Sequence, residues 1–483
     1  MEQIPPSAAS GTDAIFEIQR ESRRLKDLVT NSQERALHVN SIRIEGVEHT
    51  RRSVVEALVK PILESQNLGD IVAESREACQ RLGRLGVFRD VGVTLDTPTD
   101  SFGASGELVD VVLTVKEGPR FYARTGADFS NYDTTTNVTT KISNALGAGE
   151  CLEANASYAV QPSVALNESA AAFTSETGSY FQVLCSKPLI PTPTFKRPNR
   201  ADPDARIEFA AYSTNRNMLL HMSHEEQAKG LAARYKTADP YYGSHEFAYD
   251  VAWRHLHNVA QDGSWSVRQD AGHTLKSAIS HIYSRDHRND PMLPTAGSYV
   301  RTREELSGLG GDVKFVKGEA EGQWAFSLGN GFTLATSIRG GLVLPLLGQR
   351  TRVNDRFLFG GPNSIRGFRQ SGIGPMDKKD AIGGDAYWGA GLSLFTPLPY
   401  LVDKPMKGHF FVNSGTLVPI NTGDTVQQNA QRLIASPSVS AGLGLAVRFS
   451  ILRLEMNYCL PLAAGMTDRI KPGFQFGIGI SYM

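Results

Sequence analysis

From residue 119 to the C-terminus the chain keeps a two-residue period, and this alternation constrains its fold more than any other feature. In the last run Phe474, Phe476, Ile478, Ile480 and Tyr482 share one face, and Gln475, Gly477, Gly479 and Ser481 the other. A period of two marks a β-strand, whose successive side chains point to opposite sides. Upstream, Leu452, Leu454, Met456, Tyr458 and Leu460 alternate with Arg453, Glu455, Asn457 and Cys459. Before them Val439 to Phe449 alternates likewise, and only Ser450 and Ile451 intervene, which fits a tight hairpin. Similar runs lie near 205–214, 245–257, 271–284, 331–344, 384–396 and 406–414. Weaker ones lie near 120–130, 137–146, 151–161, 179–187, 225–236, 295–306 and 313–327. Together they predict about sixteen strands.

A soluble sandwich alternates too, but its strands are usually ~5–6 residues long. Many runs here are of the ~9–11 residues or more that a tilted membrane strand requires. Their faces also differ in kind: one is bulky and apolar, the other carries Gly, Ser, Arg, Asn and Glu, as a wet lumen demands. The expected architecture is mainly β, a transmembrane antiparallel barrel over 119–483. Trp253, Tyr387, Trp388 and Tyr458 near strand ends are expected in interfacial girdles. No apolar run approaches the ~18 residues of a membrane helix, because alternation hides the apolar half of a barrel from any window average.

Residues 37–118 read differently. Val39 to Ile44 alternates as a strand ending at Gly46, and Thr50 is placed to cap a helix carrying Val54, Val55, Leu58 and Val59. A second helix is expected from Asp70 to Leu85, with Gly86 as its stop, then strands Val87–Leu95 and Leu108–Val115. The order is strand, helix, helix, strand, strand, a small α/β domain. Residues 1–36 are polar and read as a flexible arm with no secretory pattern. Fifty basic and fifty acidic residues give no charge excess that would argue for nucleic acid.

Little chemistry is legible. The cysteines at 79, 151, 185 and 459 have no metal spacing and read as free thiols. His221 and His224 beside Glu225 and Glu226 lack the spacing of a metal site and read as a solvated loop; His255 and His257 share a strand face and read as lumen residues. The Gly308–Gly311 and Gly383-Gly384 stretches lack the Lys of a phosphate loop. Two glycosylation sequons, Asn137-Val138-Thr139 and Asn167-Glu168-Ser169, have no secretory signal to deliver them. No metal, cofactor or enzymatic activity is expected.

One connection stands out. Between two strands, 346–382 is longer than the ~15 residues beyond which loops are usually functional or disordered. It holds Ser364-Ile365-Arg366-Gly367-Phe368 within Phe359 to Phe368. This apolar-Arg-Gly-Phe tetrad joins several blocks in order: Leu85 to Val91, Gly272 to Ser277, Asn354 to Phe368, Gly384 to Trp388 and Leu454 to Cys459. With them the chain resembles, over about 37–483, the outer-membrane-protein assembly superfamily, and within it the central barrel subunits of the mitochondrial sorting and assembly machinery.

The resemblance implies that 37–118 is a single polypeptide-transport-associated (POTRA-like) domain. It implies an insertase for β-barrel precursors in the mitochondrial outer membrane, non-enzymatic and without cofactor, its N-terminal domain in the intermembrane space. The implied partners are unfolded precursors with a C-terminal strand signal, peripheral metaxin-like subunits, the inner-membrane cristae-organising complex and the lipid bilayer. A passive pore and a membrane-tethering subunit are the rival readings. The family's loop folds into the lumen and its arginine meets the wall; Glu455, Asp385 and Asn413 are the candidate partners here. Relatives carry Phe-any-Asp-any-Gly in that wall, whereas Phe411-Val412-Asn413-Ser414-Gly415 has Asn, leaving only a neutral hydrogen bond.

A membrane sheet must close, because lipid offers no hydrogen bonds. Closure sets the first strand against the last. Phe121, Ala123, Thr125, Gly126, Ala127 and Phe129 would therefore meet Gly473, Phe474, Gln475, Phe476, Gly477, Ile478, Gly479 and Ile480 at a seam weakened by glycine. Lys471 to Ile478 also fits the precursor signal itself: polar, any, Gly, any, any, apolar, any, apolar.

Overall fold

The computed structural model describes residues 35–98, 108–129, 134–161, 176–189, 204–239, 242–398, 405–421, 423–449 and 452–479. Residues 1–34, the second sequon and Ile480 to Met483 lie outside them. The chain divides into two compact units, the first comprising residues up to Phe121 with Ile142–Cys151 and Lys187–Arg206, the second the remainder.

In the first unit strands β1 (His38–Glu45), β2 (Phe88–Asp96) and β3 (Leu108–Glu117) form a sheet in the order β1-β3-β2. β1 runs parallel to β3 and β2 antiparallel to it. Helices Arg52–Val59 and Leu68–Arg84 lie between β1 and β2 in sequence. Val55, Leu58, Ile71, Ala78 and Leu82, at helical spacing, are fully buried with Val111 and Leu113 of the sheet. Gly86 follows the second helix with φ +74°, the left-handed geometry that ends helices.

Thr50 does not cap the first helix; Arg51 holds that position without a side-chain bond. The Thr50 hydroxyl instead donates to Glu117 Oε1 at 2.6 Å and accepts from Asn144 Nδ2 at 2.9 Å. Burial pushes the Glu117 carboxyl up. The Thr50 hydroxyl and the amides of Thr50, His49 and Glu48 outweigh it and hold the carboxyl down at about 2.

The second unit is dominated by one sixteen-stranded sheet. Its strands are β4 (Phe121–Phe129), β5 (Thr134–Ser143), β6 (Cys151–Gln161), β7 (Glu176–Pro188), β8 (Arg206–Asn217), β9 (Glu225–Asp239), β10 (Gly243–His257) and β11 (Gly272–Asp286). They continue as β12 (Gly297–Ser307), β13 (Phe315–Gly329), β14 (Phe332–Pro345), β17 (Ala386–Pro397), β18 (Met406–Val418), β19 (Ser438–Phe449), β20 (Leu452–Ala463) and β21 (Gly473–Gly479). Two-residue strands β15 (Met376–Asp377) and β16 (Asp380–Ala381) make a hairpin inside the long loop. Every strand neighbours its predecessor in the chain, β17 pairs with β14 across that loop, and β4 and β21 end the order.

The alternation sorts as lipid outside and lumen inside. On β21 Phe474 and Phe476 are exposed while Gln475 is buried. On β20 Met456, Tyr458, Leu460 and Leu462 are exposed while Arg453, Glu455, Asn457 and Cys459 are buried. No described helix is long and apolar enough to cross a membrane, which says nothing against crossing by strands.

Three side-chain placements depart from expectation. Tyr387 turns inward against Phe357 and Phe359, at centroid distances of 4.8 and 5.1 Å. His255 and His257 share the parity of exposed Phe247 and Tyr249, opposite buried Arg254, so they stand on the outer face. His255 stacks on His273 at 4.0 Å and packs beside Trp253. At strand ends the outer face meets headgroups rather than acyl chains, so polarity there does not report the side. His224 is not in a solvated loop either: it is buried with Ser223, whose hydroxyl donates to Asp380 of the long loop. None of the four cysteines is in a disulfide.

Candidate functional site

The long loop between β14 and β17 is packed, not loose. Phe357, Phe359, Ile365, Phe368 and Ile373 bury themselves against Phe315, Val343 and Leu417 of the wall. Ile365 and Phe368 are fully buried, each worth ~1.5–3 kcal/mol of transfer from water. A methyl on Gly415 of β18 would lie 2.7 Å from Ile365 Cδ1, so the wall thins there to admit the loop. Polar ties hold the loop's near half: Arg254 of β10 donates twice to Asp355, at 2.8 and 3.2 Å. Asp270 accepts from the Val353 amide at 2.9 Å.

Arg366 is fully buried. Its Nε and Nη2 donate to Glu455 Oε2 on β20 at 2.9 and 2.8 Å. Asn457 Nδ2 donates to the same oxygen at 2.8 Å, and Arg453 pairs with the other. The guanidinium also lies 4.9 Å over the Phe411 ring, a cation–π contact strengthened by desolvation. His409 Nδ1 stands 4.0 Å from Glu455 and 3.1 Å from Asn457 Oδ1, its Nε2 3.0 Å from Ser393 Oγ. Glu455 thus engages two guanidinium groups in a buried site, where an unpaired charge would be costly.

The other two candidate partners sit elsewhere. Asn413 hydrogen-bonds to the loop backbone: its Nδ2 donates to the Ser364 carbonyl at 3.3 Å. Its Oδ1 has no hydrogen-bond partner among the described residues. Asp385, at the head of β17, lies 3.4 Å from Arg356 Nε and accepts from the Ile420 amide at 3.1 Å.

Beyond the arginine the loop runs onto the lead-in to the last strand. Gly367 adopts φ +85°, where other residues are strained, and a methyl on it would lie 3.1 Å from Ser440 Cβ. Its amide donates to Gln475 Oε1 at 2.9 Å and its carbonyl accepts from the Lys471 amide at 2.7 Å. Gln475 Nε2 returns a bond to the Phe368 carbonyl at 3.1 Å. Arg369 and Gly372 pair backbone groups with Arg469, and Thr467 and Asp468 hold Gly374. The loop is therefore hydrogen-bonded to both β21 and the turn that feeds it.

This tether, with Arg453, Asn457 and His409 around Glu455, was not foreseen from the sequence. Gln475 offered a signal: it is the one long polar side chain on an inner face otherwise made of small residues. Of the seam positions, Phe121, Ala123 and Thr125 of β4 are exposed. Gly126 approaches Asn137 on β5, and Gly477 is buried on β21. Ala127, Phe129, Ile478 and Gly479 lie within those strands; Ile480 is beyond the described residues.

Known proteins resemble this chain in sequence and in fold. Residues 144–482 match the model of the Omp85 superfamily domain. The chain is 31% identical to a SAM50-like protein of Schizosaccharomyces pombe, over 95% of this chain and 94% of that one. It is 30% identical to the human sorting and assembly machinery component 50 homolog, over 100% and 98%. Among solved structures, BamA from Haemophilus ducreyi lacking POTRA domains 1–3 shares the fold. Its TM-score is 0.71 at 19% identity, with 92% of this chain and 85% of that one covered. The chain belongs to the Omp85 superfamily, as a homologue of sorting and assembly machinery component 50.

Proposed function

We propose that this chain folds and inserts β-barrel precursors into the mitochondrial outer membrane through a seam between β4 and β21. One observation carries the reading. The lumen loop is bonded to β21 and its lead-in through Gln475, Lys471 and Arg469, and β21 is one end of the strand order. A loop that holds an end strand is placed to govern whether that strand stays paired.

When β21 parts from β4, unpaired backbone groups on each edge become templates for an extended segment, and a precursor adds its strands by β-augmentation. Burial of the new strands' outer faces in lipid supplies the drive. No covalent chemistry is required. This chain's own partners would include peripheral metaxin-like subunits alongside the precursors, with the first unit in the intermembrane space and a link to the inner-membrane cristae-organising complex. The loop-filled lumen speaks against the rival reading of a passive pore.

A disulfide engineered between β4 and β21 tests the seam. Newly imported barrel proteins should stall under oxidising conditions and assemble again after reduction. Unimpaired assembly with the cross-link formed would overturn the lateral route, and normal assembly after depletion of the chain would overturn the function itself.

A further inference from the structure

The connection between β18 and β19 carries a ten-residue helix, Val426–Ala435, none of whose side chains is buried. Val426 is 87% and Ile434 70% exposed, and Ala430 is exposed too. With Leu433 they fall at i, i+4, i+7 and i+8, a single apolar stripe. The remaining positions are mostly glutamine, asparagine and one arginine. Helices below ~12–15 residues are marginal in water and take most of their stability from burying such a stripe.

This helix is nonetheless firmly built. Thr425 and Gln428 form a reciprocal capping box, with bonds of 2.9 and 3.3 Å. Arg432 pairs with Asp424 at 2.7 Å, and Asn429 exchanges bonds with Asn421. The chain fixes the helix in place and half-buries Leu433, while packing among the described residues leaves Val426, Ala430 and Ile434 uncovered.

Where the helix is fixed identifies what covers it. The Trp388 indole N–H donates to the Leu433 carbonyl at 2.8 Å. Trp388 stands on the outer face of β17, sharing the parity of exposed Leu392, while Gly389, Gly391, Ser393 and Phe395 on the opposite parity are buried. The helix end is therefore fastened to the rim of the lipid-facing wall, which continues through Phe410, Val412 and Leu443. We infer that 426–435 lies in the membrane interface at the end of the barrel that bears the long loop, burying Val426, Ala430 and Ile434 at the headgroup–acyl boundary. Arg432 is its only charge, so apolar burial rather than attraction to anionic lipid holds it there. The inference rests on the barrel's place in a bilayer, not on its role in assembly.

Spin labels read it directly. Val426→Cys, Ile434→Cys, Gln431→Cys and Ala435→Cys are made in the full chain with its four cysteines replaced by serine, and reconstituted in phosphatidylcholine vesicles. Labels at 426 and 434 should relax several-fold more with dissolved oxygen than with a water-soluble nickel complex, and labels at 431 and 435 the reverse. Added phosphatidylserine should change neither. Equal nickel access at all four positions overturns the proposal. So does water access in vesicles that turns to protection only in native outer membranes, which would mean a protein covers the stripe. Should the cysteine-free chain fail to fold, Val426→Trp and Gln431→Trp in the native background give the same comparison through quenching by brominated lipid. Quenching at 431 equal to that at 426 would again overturn it.

Discussion

Glu455 accepts from Arg366 and Asn457 and pairs with Arg453, all without access to water. The two ends of this contact are not equivalent. Arg366→Ala leaves Glu455 with Arg453 and Asn457, whereas Glu455→Ala removes the carboxylate that two buried guanidinium groups share. Removing one partner of a buried pair costs ~3–5 kcal/mol when it strands a charge. Glu455→Ala should therefore lower the urea midpoint of the barrel more than Arg366→Ala, while Arg366→Ala impairs precursor assembly in a chain that stays membrane-embedded. Equal midpoints would refute this ordering. Arg366→Lys should not restore assembly, since a point charge cannot give both bonds to one carboxylate oxygen and lie flat on Phe411. In the first unit, Glu117 ionises at about 2 when folded against a reference of 4.5. A depressed carboxyl contributes stability that is complete above the unfolded value and lost as pH falls through the folded one. Hydrogen exchange at the Glu48–Thr50 amides should therefore speed up, beyond its intrinsic pH dependence, between about 4.5 and 2. Glu117→Gln should abolish that step; an unchanged profile in the variant would exclude Glu117 as its source.

Strand β21 makes seven register pairs with β20, from Cys459↔Gly473 to Arg453↔Gly479, and is held from inside by the loop through Gln475. Gln475→Leu keeps the bulk but leaves the Gly367 amide and Phe368 carbonyl without a partner, at ~1–3 kcal/mol. Amide exchange across 473–479 should then accelerate about tenfold for each ~1.4 kcal/mol lost, with β10 and β11 unchanged. Uniform acceleration over all strands would instead mean global destabilisation. The strands were legible in the sequence because the pleat gives each successive residue one of two environments, and lipid and lumen differ sharply. The loop's partners were not. Glu455 was identified only as one inward carboxylate among several candidates, and nothing local tells which meets Arg366. That depends on how a forty-residue connection folds back, an outcome of packing at Phe368 and Ile365. Tyr387, His255 and His257 show the other limit, since at strand ends both faces tolerate aromatic and polar groups. The Gln475 tether escaped notice because an amide that reads backbone atoms leaves no mark on the sequence it binds.

Across the whole molecule, a barrel with a long loop packed against its inner wall should be a poor conduit. The intact chain in a planar bilayer should pass little current, and deletion of 360–374 should raise its conductance well above wild type. High conductance in the intact chain would argue for a resting state with the loop withdrawn. The sheet raises a further matter of passage. Mean hydropathy over the chain is −0.25, a value at home in water, although Phe474, Phe476, Leu460 and Leu443 stand exposed on a shared outer face. The face is absent from the extended polypeptide, in which these apolar side chains alternate with small or polar residues. Pairing of the strands gathers them on one surface. Such a chain can travel through aqueous compartments while unfolded and becomes a membrane protein only as it folds. The solubility that lets it travel and the adhesion that keeps it in place are written in the same residues, separated by the act of closing the sheet.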